Sequence, residues 1–212
     1  NQKSVSFDTE TTDLDSLKAE LVGISFSWEI GKGYYLVIPE NRKDADWVLE
    51  KLKVFFEHSQ IQKIGHNLKY DIKVLNNYNI SVKGPLFDTL IAHYLINPDM
   101  RHGMDILAET YLGYKTKPIS DLIGKKGKNQ GSMRDVDLSL QKEYAVEDSD
   151  ITLQLKHHFE KELVKSNTMS LFKEVEIPLV SVLSSMECEG INLNIKFLAK
   201  LSKEFQVEIN LL

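Results

Sequence analysis

The sequence predicts an α/β fold, strands flanked by helices, followed by a short, mostly helical C-terminal segment. Three observations predict it. Val5 to Thr11 alternates in the manner of a half-buried strand. Leu21 to Trp28 and Tyr34 to Ile38 read as two strands joined through Glu29-Ile30-Gly31-Lys32-Gly33, a hairpin loop with two glycines. Beyond them, apolar residues recur at helical spacing in several long stretches, the longest from Leu138 to Leu163.

In the first strand, Val5, Phe7 and Thr9 share one face and Ser6, Asp8 and Glu10 the other. Two like charges ~5 Å apart repel by roughly 3 kcal/mol at an effective dielectric of about 20. A polar turn relieves that repulsion, and so does a divalent cation. After the turn-like Asp13-Leu14-Asp15-Ser16 comes the hairpin, and then Ala45 to His58 as a helix. Gly31-x-Gly33 is not a dinucleotide fingerprint, since neither a third glycine nor a helix follows. Ile61 to Ile64 reads as a further short strand, with Gly65 at its end.

Asn67 to Tyr78 is predicted helical, with Leu68, Ile72 and Leu75 as the inward stripe and Asp71 on that same stripe. An inward aspartate is either bonded to neighbouring backbone or recruited to a site. Leu86-Phe87-Asp88-Thr89 repeats the Phe-Asp-Thr triplet of the first strand. It introduces the helical pattern Leu90, Ile91, Tyr94 and Leu95, which makes Asp88 an N-cap or first-turn acid. Met104 to Leu112 is another helix. From Lys115 to Arg134, five lysines and Arg134 stand against the single acid Asp121, among glycines at 124, 127 and 131. This is a solvated loop or a mobile basic arm over an anionic polymer.

In the helix from Leu138 to Leu163, Glu143, Glu147, Asp150 and Gln154 share the outer face, whereas Tyr144, Asp148, Ile151 and Leu155 point inward. Ser166-Asn167-Thr168 breaks the chain and separates a first domain, 1–165, from 166–212. Pro178 predicts a kink or restart in the next helix, Gly190 its end, and Asn194 the cap of a last one.

At 212 residues and a net charge of −5, the chain has room for one sizeable core plus part of another. The charge argues mildly against a protein coated in nucleic acid and leaves room for a nuclease. No run approaches a membrane span. The single cysteine, Cys188, excludes an internal disulfide or a cysteine-built zinc site and fits a reducing cytoplasm. Asn1 is not an initiating methionine, and Leu211-Leu212 stands inside an apolar helical pattern, which predicts a piece of a longer polypeptide.

Asp8, Glu10, Asp71 and Asp148 share one property: each points where a core should be. Four such acids suggest convergence on hard cations bound through oxygen. The stretches that carry them, Phe7-Asp8-Thr9-Glu10-Thr11, Gly65-His66-Asn67-Leu68-Lys69-Tyr70-Asp71 and Tyr144-Ala145-Val146-Glu147-Asp148, resemble the three exonuclease motifs of the proofreading domain of the bacterial DNA polymerase I family. This is the tyrosine subclass of the DEDD exonucleases. The resemblance continues through Arg101-His102-Gly103-Met104-Asp105 and Gly124-Lys125-Lys126-Gly127-Lys128-Asn129-Gln130. Glu174 to Val180 and Glu189-Gly190-Ile191 resemble the start of the polymerase domain in the same proteins.

The resemblance implies a ribonuclease-H-like fold, a mixed β-sheet flanked by helices, and a 3′-5′ exonuclease acting on single-stranded DNA or the frayed 3′ end of a primer. It implies two divalent cations, Mg2+ above all, with Mn2+ or Zn2+ as alternatives. Asp8 is implied to bridge both, Glu10 and Asp148 to complete the water-activating site, Asp71 to serve the second cation, and Tyr144 to orient the water. Leu14, Asn67, Tyr70, Arg101 and Met104 match positions lining the single-strand path. His66 stands where the family has glutamine and is not counted as a ligand. The implied setting is a monomeric chain, cytoplasmic at the bacterial nucleoid, partnered by the remainder of its own polymerase and by no membrane. Two rivals remain: a catalytically silent domain that supports the polymerase, and a ribonuclease-D-like enzyme trimming RNA.

Overall fold

The computed structural model describes residues 2–125, 127 and 130–212; Lys126, Lys128 and Asn129 of the basic segment lie outside the described residues. Five strands form one sheet in the order β3-β2-β1-β4-β5, with β1 at its centre. They are β1 (Ser4–Thr11), β2 (Leu21–Glu29), β3 (Lys32–Val37), β4 (Gln62–Gly65) and β5 (Leu86–Asp88). β1, β2 and β3 form an antiparallel meander, whereas β4 and β5 run parallel to β1 and to each other. The sheet is therefore mixed, as expected. The strand β5 is the one element of it not predicted, because three residues are too few to show a period.

The α1 helix (Arg42–Phe56) begins three residues before its predicted start, since Asn41 accepts from the amides of Lys43 and Asp44 and caps it there. Next come α2 (Leu68–Asn76), α3 (Thr89–Ile96) and α4 (Met104–Leu107), which continues as a π-helical turn to Leu112. Within the basic segment, α5 (Ser120–Ile123) and a 3-10 turn at Met133–Asp135 are short ordered pieces. The long α6 (Leu138–Lys165) lies where its apolar period places it. After the break come α7 (Met169–Leu171), a π turn over Phe172–Glu176, α8 (Ile177–Glu189) with Pro178 in its first turn, and α9 (Ile195–Leu211). The backbone stays helical from Met169 through Glu189, so Pro178 does not restart a helix but directly follows the π turn, where the hydrogen-bond ladder is already interrupted. Asn194 caps α9 by accepting from the Phe197 amide at 3.0 Å.

The two faces of the sheet carry separate cores. On one, Phe7 and Ile24 pack against Leu49 and Phe56 of α1 and Leu68 and Leu75 of α2. On the other, Ile64 and Phe87 pack with Ala92 of α3, Leu155 and Phe159 of α6, and Phe172. Phe172 is buried against the Phe87 ring, with centroids 4.8 Å apart, so the chain beyond the break contributes to this second core. Lys69 and Lys73 of α2 both pair with Glu187 of α8 at 2.6 Å. Among the described residues no helix is long and apolar enough to cross a membrane.

Candidate metal-dependent nuclease site

Alternation along β1 sends Asp8 and Glu10 to the face covered by α6 and sends Phe7 and Thr9 to the α1–α2 face. What faces the two acids is small. Asp8 pairs across the ladder with Ser25 and Glu10 with Gly23, while Ser6 pairs with Ser27. A Cβ added at Gly33 would lie 2.5 Å from Val146 Cγ1, so α6 packs almost onto the backbone of β3. That close approach carries Asp148 to the strand. One carboxylate oxygen each of Asp8, Glu10 and Asp148 lie within 4.8 Å of one another. The β1–β2 register shifts between Glu10 and Thr11, a bulge where the strand leaves the sheet.

Asp71 is only 3% exposed but arrives from the other face. The parallel ladder between β1 and β4 ends at Ser6, and past it this edge of β1 has no paired strand. There the Thr9 amide donates to Asp71 Oδ1 at 3.2 Å and the Thr9 hydroxyl donates to the same oxygen at 2.5 Å. The structure thus brings three of the four predicted acids into one cluster and holds the fourth beside it through Thr9. Thr9 escaped the sequence reading. Its place between the two acids, facing oppositely, was the available signal.

The electrostatics of the site follow from burial. Burial pushes Asp8 up to about 7. Burial, followed by the charges of Asp8, Asp148 and Asp71, holds Glu10 well above the usual carboxylate range. Asp148 is raised by burial and by Asp8, and Asp71 by burial and by Asp8, against the lowering effect of its Thr9 bonds. Glu10 Oε1 is buried with no hydrogen-bond partner, as is the Ser25 hydroxyl opposite Asp8. Clustered, desolvated acids with an orphaned oxygen fit a divalent cation, whose charge reverses the repulsion and whose binding expels the protons. The Tyr144 hydroxyl is directed at Asp148; burial and then the charge of Asp148 raise the phenol far above its ordinary value, so it stays protonated.

The predicted strand-lining residues surround this centre unevenly. Leu14 is 72% exposed in the turn after β1. The Tyr70 hydroxyl meets Thr11 Oγ1 and donates to the Asp13 carbonyl, both at 2.5 Å, which fixes that turn against α2. Asn67 is exposed in the left-handed conformation at the head of α2, with φ 65°. Arg101 is exposed, and half-buried Met104 lies 3.8 Å from the Thr152 hydroxyl, one turn beyond Asp148. His66 is not directed at the acids. Its Nδ1 lies 2.9 Å from the Thr89 hydroxyl, and burial pushes the imidazole down to about 4.

Asp88 is a cap, as its place before α3 predicts, and serves two helices. It accepts from Leu90 and Ile91 of α3 at 2.9 and 3.3 Å, and from Asn67 and Leu68 at the head of α2 at 3.2 and 2.7 Å. Asp88→Ala should therefore cost about 2–4 kcal/mol, two caps at roughly 1–2 kcal/mol each, measured by urea unfolding. A loss below about 1 kcal/mol contradicts the double role. The outer acids of α6 are tethers as well. Asp150 accepts from the Gly31 amide at 2.8 Å, and Glu147 from the Tyr114 hydroxyl at 2.6 Å and the Lys117 amide at 3.0 Å.

A mixed five-stranded sheet with β1 central and helices on both faces is the ribonuclease-H-like fold. Residues 1–164 match the family model described as 3′-5′ exonuclease, and the chain belongs to that family, the exonuclease region of family A DNA polymerases. It is 36% identical over 199 residues to DNA polymerase I of Borreliella burgdorferi, covering 92% of this chain and 21% of that protein. It is 34% identical over 211 residues to DNA polymerase I of Pseudomonas aeruginosa, covering 94% and 23%. The chain thus spans about a fifth of the length of these curated relatives. In three dimensions it is similar to the POL domain of Pol1 from M. smegmatis in complex with DNA primer-template and dNTP (TM-score 0.76, 20% identity, 99% of this chain and 32% of that one). It is also similar to Brucella melitensis NrnC with bound Mg2+ (TM-score 0.73, 22% identity, 90% and 87%).

Proposed function

We propose that this chain removes nucleotides one at a time from single-stranded or frayed DNA 3′ ends, in a reaction using two divalent cations, as the proofreading activity of a DNA polymerase I. The observation that carries the proposal is the convergence of the Asp8, Glu10 and Asp148 carboxylates, with Glu10 Oε1 buried and unpartnered. Asp8, Glu10 and Asp148 would hold one cation, and Asp8 with Asp71 a second; magnesium is the ion we assign. When bound, such a pair activates water and stabilises the leaving 3′ oxygen.

The chain's own residues supply position. Tyr144 keeps its proton and orients the attacking water by hydrogen bonding. Leu14, presented by a turn that Tyr70 fixes, is the apolar wedge for the terminal base, and Asn67, Arg101 and Met104 line the strand. Residues 1–165 constitute the exonuclease unit, and 166–212 begin the polymerase region, anchored here through Phe172 and Glu187.

The test is degradation of 5′-labelled DNA and matched RNA oligonucleotides with magnesium. The expected product is a ladder shortened from the 3′ end, with 5′-mononucleotides released and DNA consumed faster than RNA. RNA consumed as fast or faster assigns the site to RNA trimming, and undiminished activity in EDTA contradicts metal dependence.

A further inference from the structure

Gln141 lies on α6, one turn before Tyr144, and is only 5% exposed. Its Nε2 donates to the Met133 carbonyl at 2.8 Å and the Val136 carbonyl at 2.9 Å. Its Oε1 accepts from the Tyr35 hydroxyl at 3.1 Å. The two carbonyls set the orientation of the amide, because a flip would turn its oxygen against theirs. The Tyr35 side chain lies across the sheet over Gly23: a Cβ built on Gly23 would fall 2.1 Å from Tyr35 Oη. Gly23 is the direct cross-strand partner of Glu10. Directly opposed residues project to the same face with Cβ atoms ~5 Å apart. The phenol oxygen therefore fills the space of a side chain at position 23, beside Glu10.

Glu10 Oε1 is buried and has no partner. A phenol O–H next to a free carboxylate oxygen forms a short, charge-assisted bond unless something else takes its one hydrogen. The Gln141 oxygen takes it. We propose that Gln141 is a positioning residue that holds the Tyr35 hydroxyl hydrogen away from Glu10, so that Glu10 Oε1 stays open to a divalent cation. The inference deepens the reading of Asp8, Glu10 and Asp148 as a cation site, and rests on it. Through Met133 and Val136 the same amide ties the end of the basic segment to the helix that bears Tyr144 and Asp148.

The test is manganese affinity, read from the rise of melting temperature across a manganese titration. Wild type should bind, and Asp8→Ala should not. Gln141→Met should bind about tenfold more weakly, the usual effect of losing an outer partner of a metal ligand. Tyr35→Phe alone should match wild type, and adding Tyr35→Phe to Gln141→Met should restore the affinity to within about twofold of wild type. Should Gln141→Met not fold, Gln141→Asn, which withdraws the amide by one methylene, carries the same predictions. Unchanged affinity in the Gln141 variant overturns the proposal. So does a loss that Tyr35→Phe leaves in place, which is what a merely structural glutamine gives. A wild type that binds no manganese overturns the cation site itself, and the inference with it.

Discussion

Asp8→Ala should lower exonuclease turnover on a single-stranded oligonucleotide by on the order of 10^3-fold or more, equivalent to about 4 kcal/mol of transition-state stabilisation. Asp148→Ala should do the same. The two residues reach one point from a central strand and from a helix packed almost onto the sheet, and no other described acid shares the cluster except Glu10. Since a shared ion depends on all three carboxylates, the double variant should be little worse than either single one. Glu147→Ala is the control. It neighbours Asp148 in the chain, yet its carboxylate is spent on Tyr114 and Lys117 outside the cluster, and it should lose less than about tenfold. Single-turnover rates compare the four variants with wild type. Equal activity in wild type and Asp8→Ala removes the account.

The second large effect is on stability. Burial raises Asp8 from 3.8 to about 7 in the folded chain, and Glu10, Asp71 and Asp148 shift in the same direction. A carboxyl with a raised folded pKa binds more protons folded than unfolded at intermediate pH. Its contribution to stability is whole below about pH 4 and is lost as pH rises through about 7. Three pKa units correspond to on the order of 4 kcal/mol, or about 10 °C in melting temperature for a chain of this size. In EDTA, wild type should therefore lose stability between pH 5 and pH 8 relative to Asp8→Asn, which lacks the titrating group. Saturating manganese should recover most of the loss at pH 8 and little of it at pH 5, where protons compete for the same oxygens. Parallel pH profiles for the two proteins in EDTA contradict this.

Much of the site was legible because it is written in short periods. A two-residue period separates Asp8 and Glu10 from Phe7 and Thr9, and a 3.6-residue period separates Asp148 from Glu147 and Asp150. Those periods say which face a residue occupies but not what lies opposite. That Ser25 faces Asp8 and Gly23 faces Glu10 depends on the register of β2 against β1, a ladder that shifts between Glu10 and Thr11. That Asp71 approaches from the far face, held by Thr9, depends on β4 ending short of β1, a consequence of strand order rather than of local pattern. Asp88 shows the same division. Its cap on α3 is local, but its cap on α2 joins residues 20 and 21 positions apart. The Tyr35–Gln141 bond, spanning 106 residues, had no sequence signal at all.

The central claim is that Asp8, Glu10 and Asp148 hold a divalent cation, and an anomalous-difference map from a crystal soaked in manganese tests it most directly. The account predicts a peak about 2.0–2.2 Å from an oxygen of each of the three carboxylates, the range of hard-ion coordination, with Glu10 Oε1 among them. A map with no peak among these residues, or with the ion held only by outer acids such as Glu147 and Asp150, contradicts it.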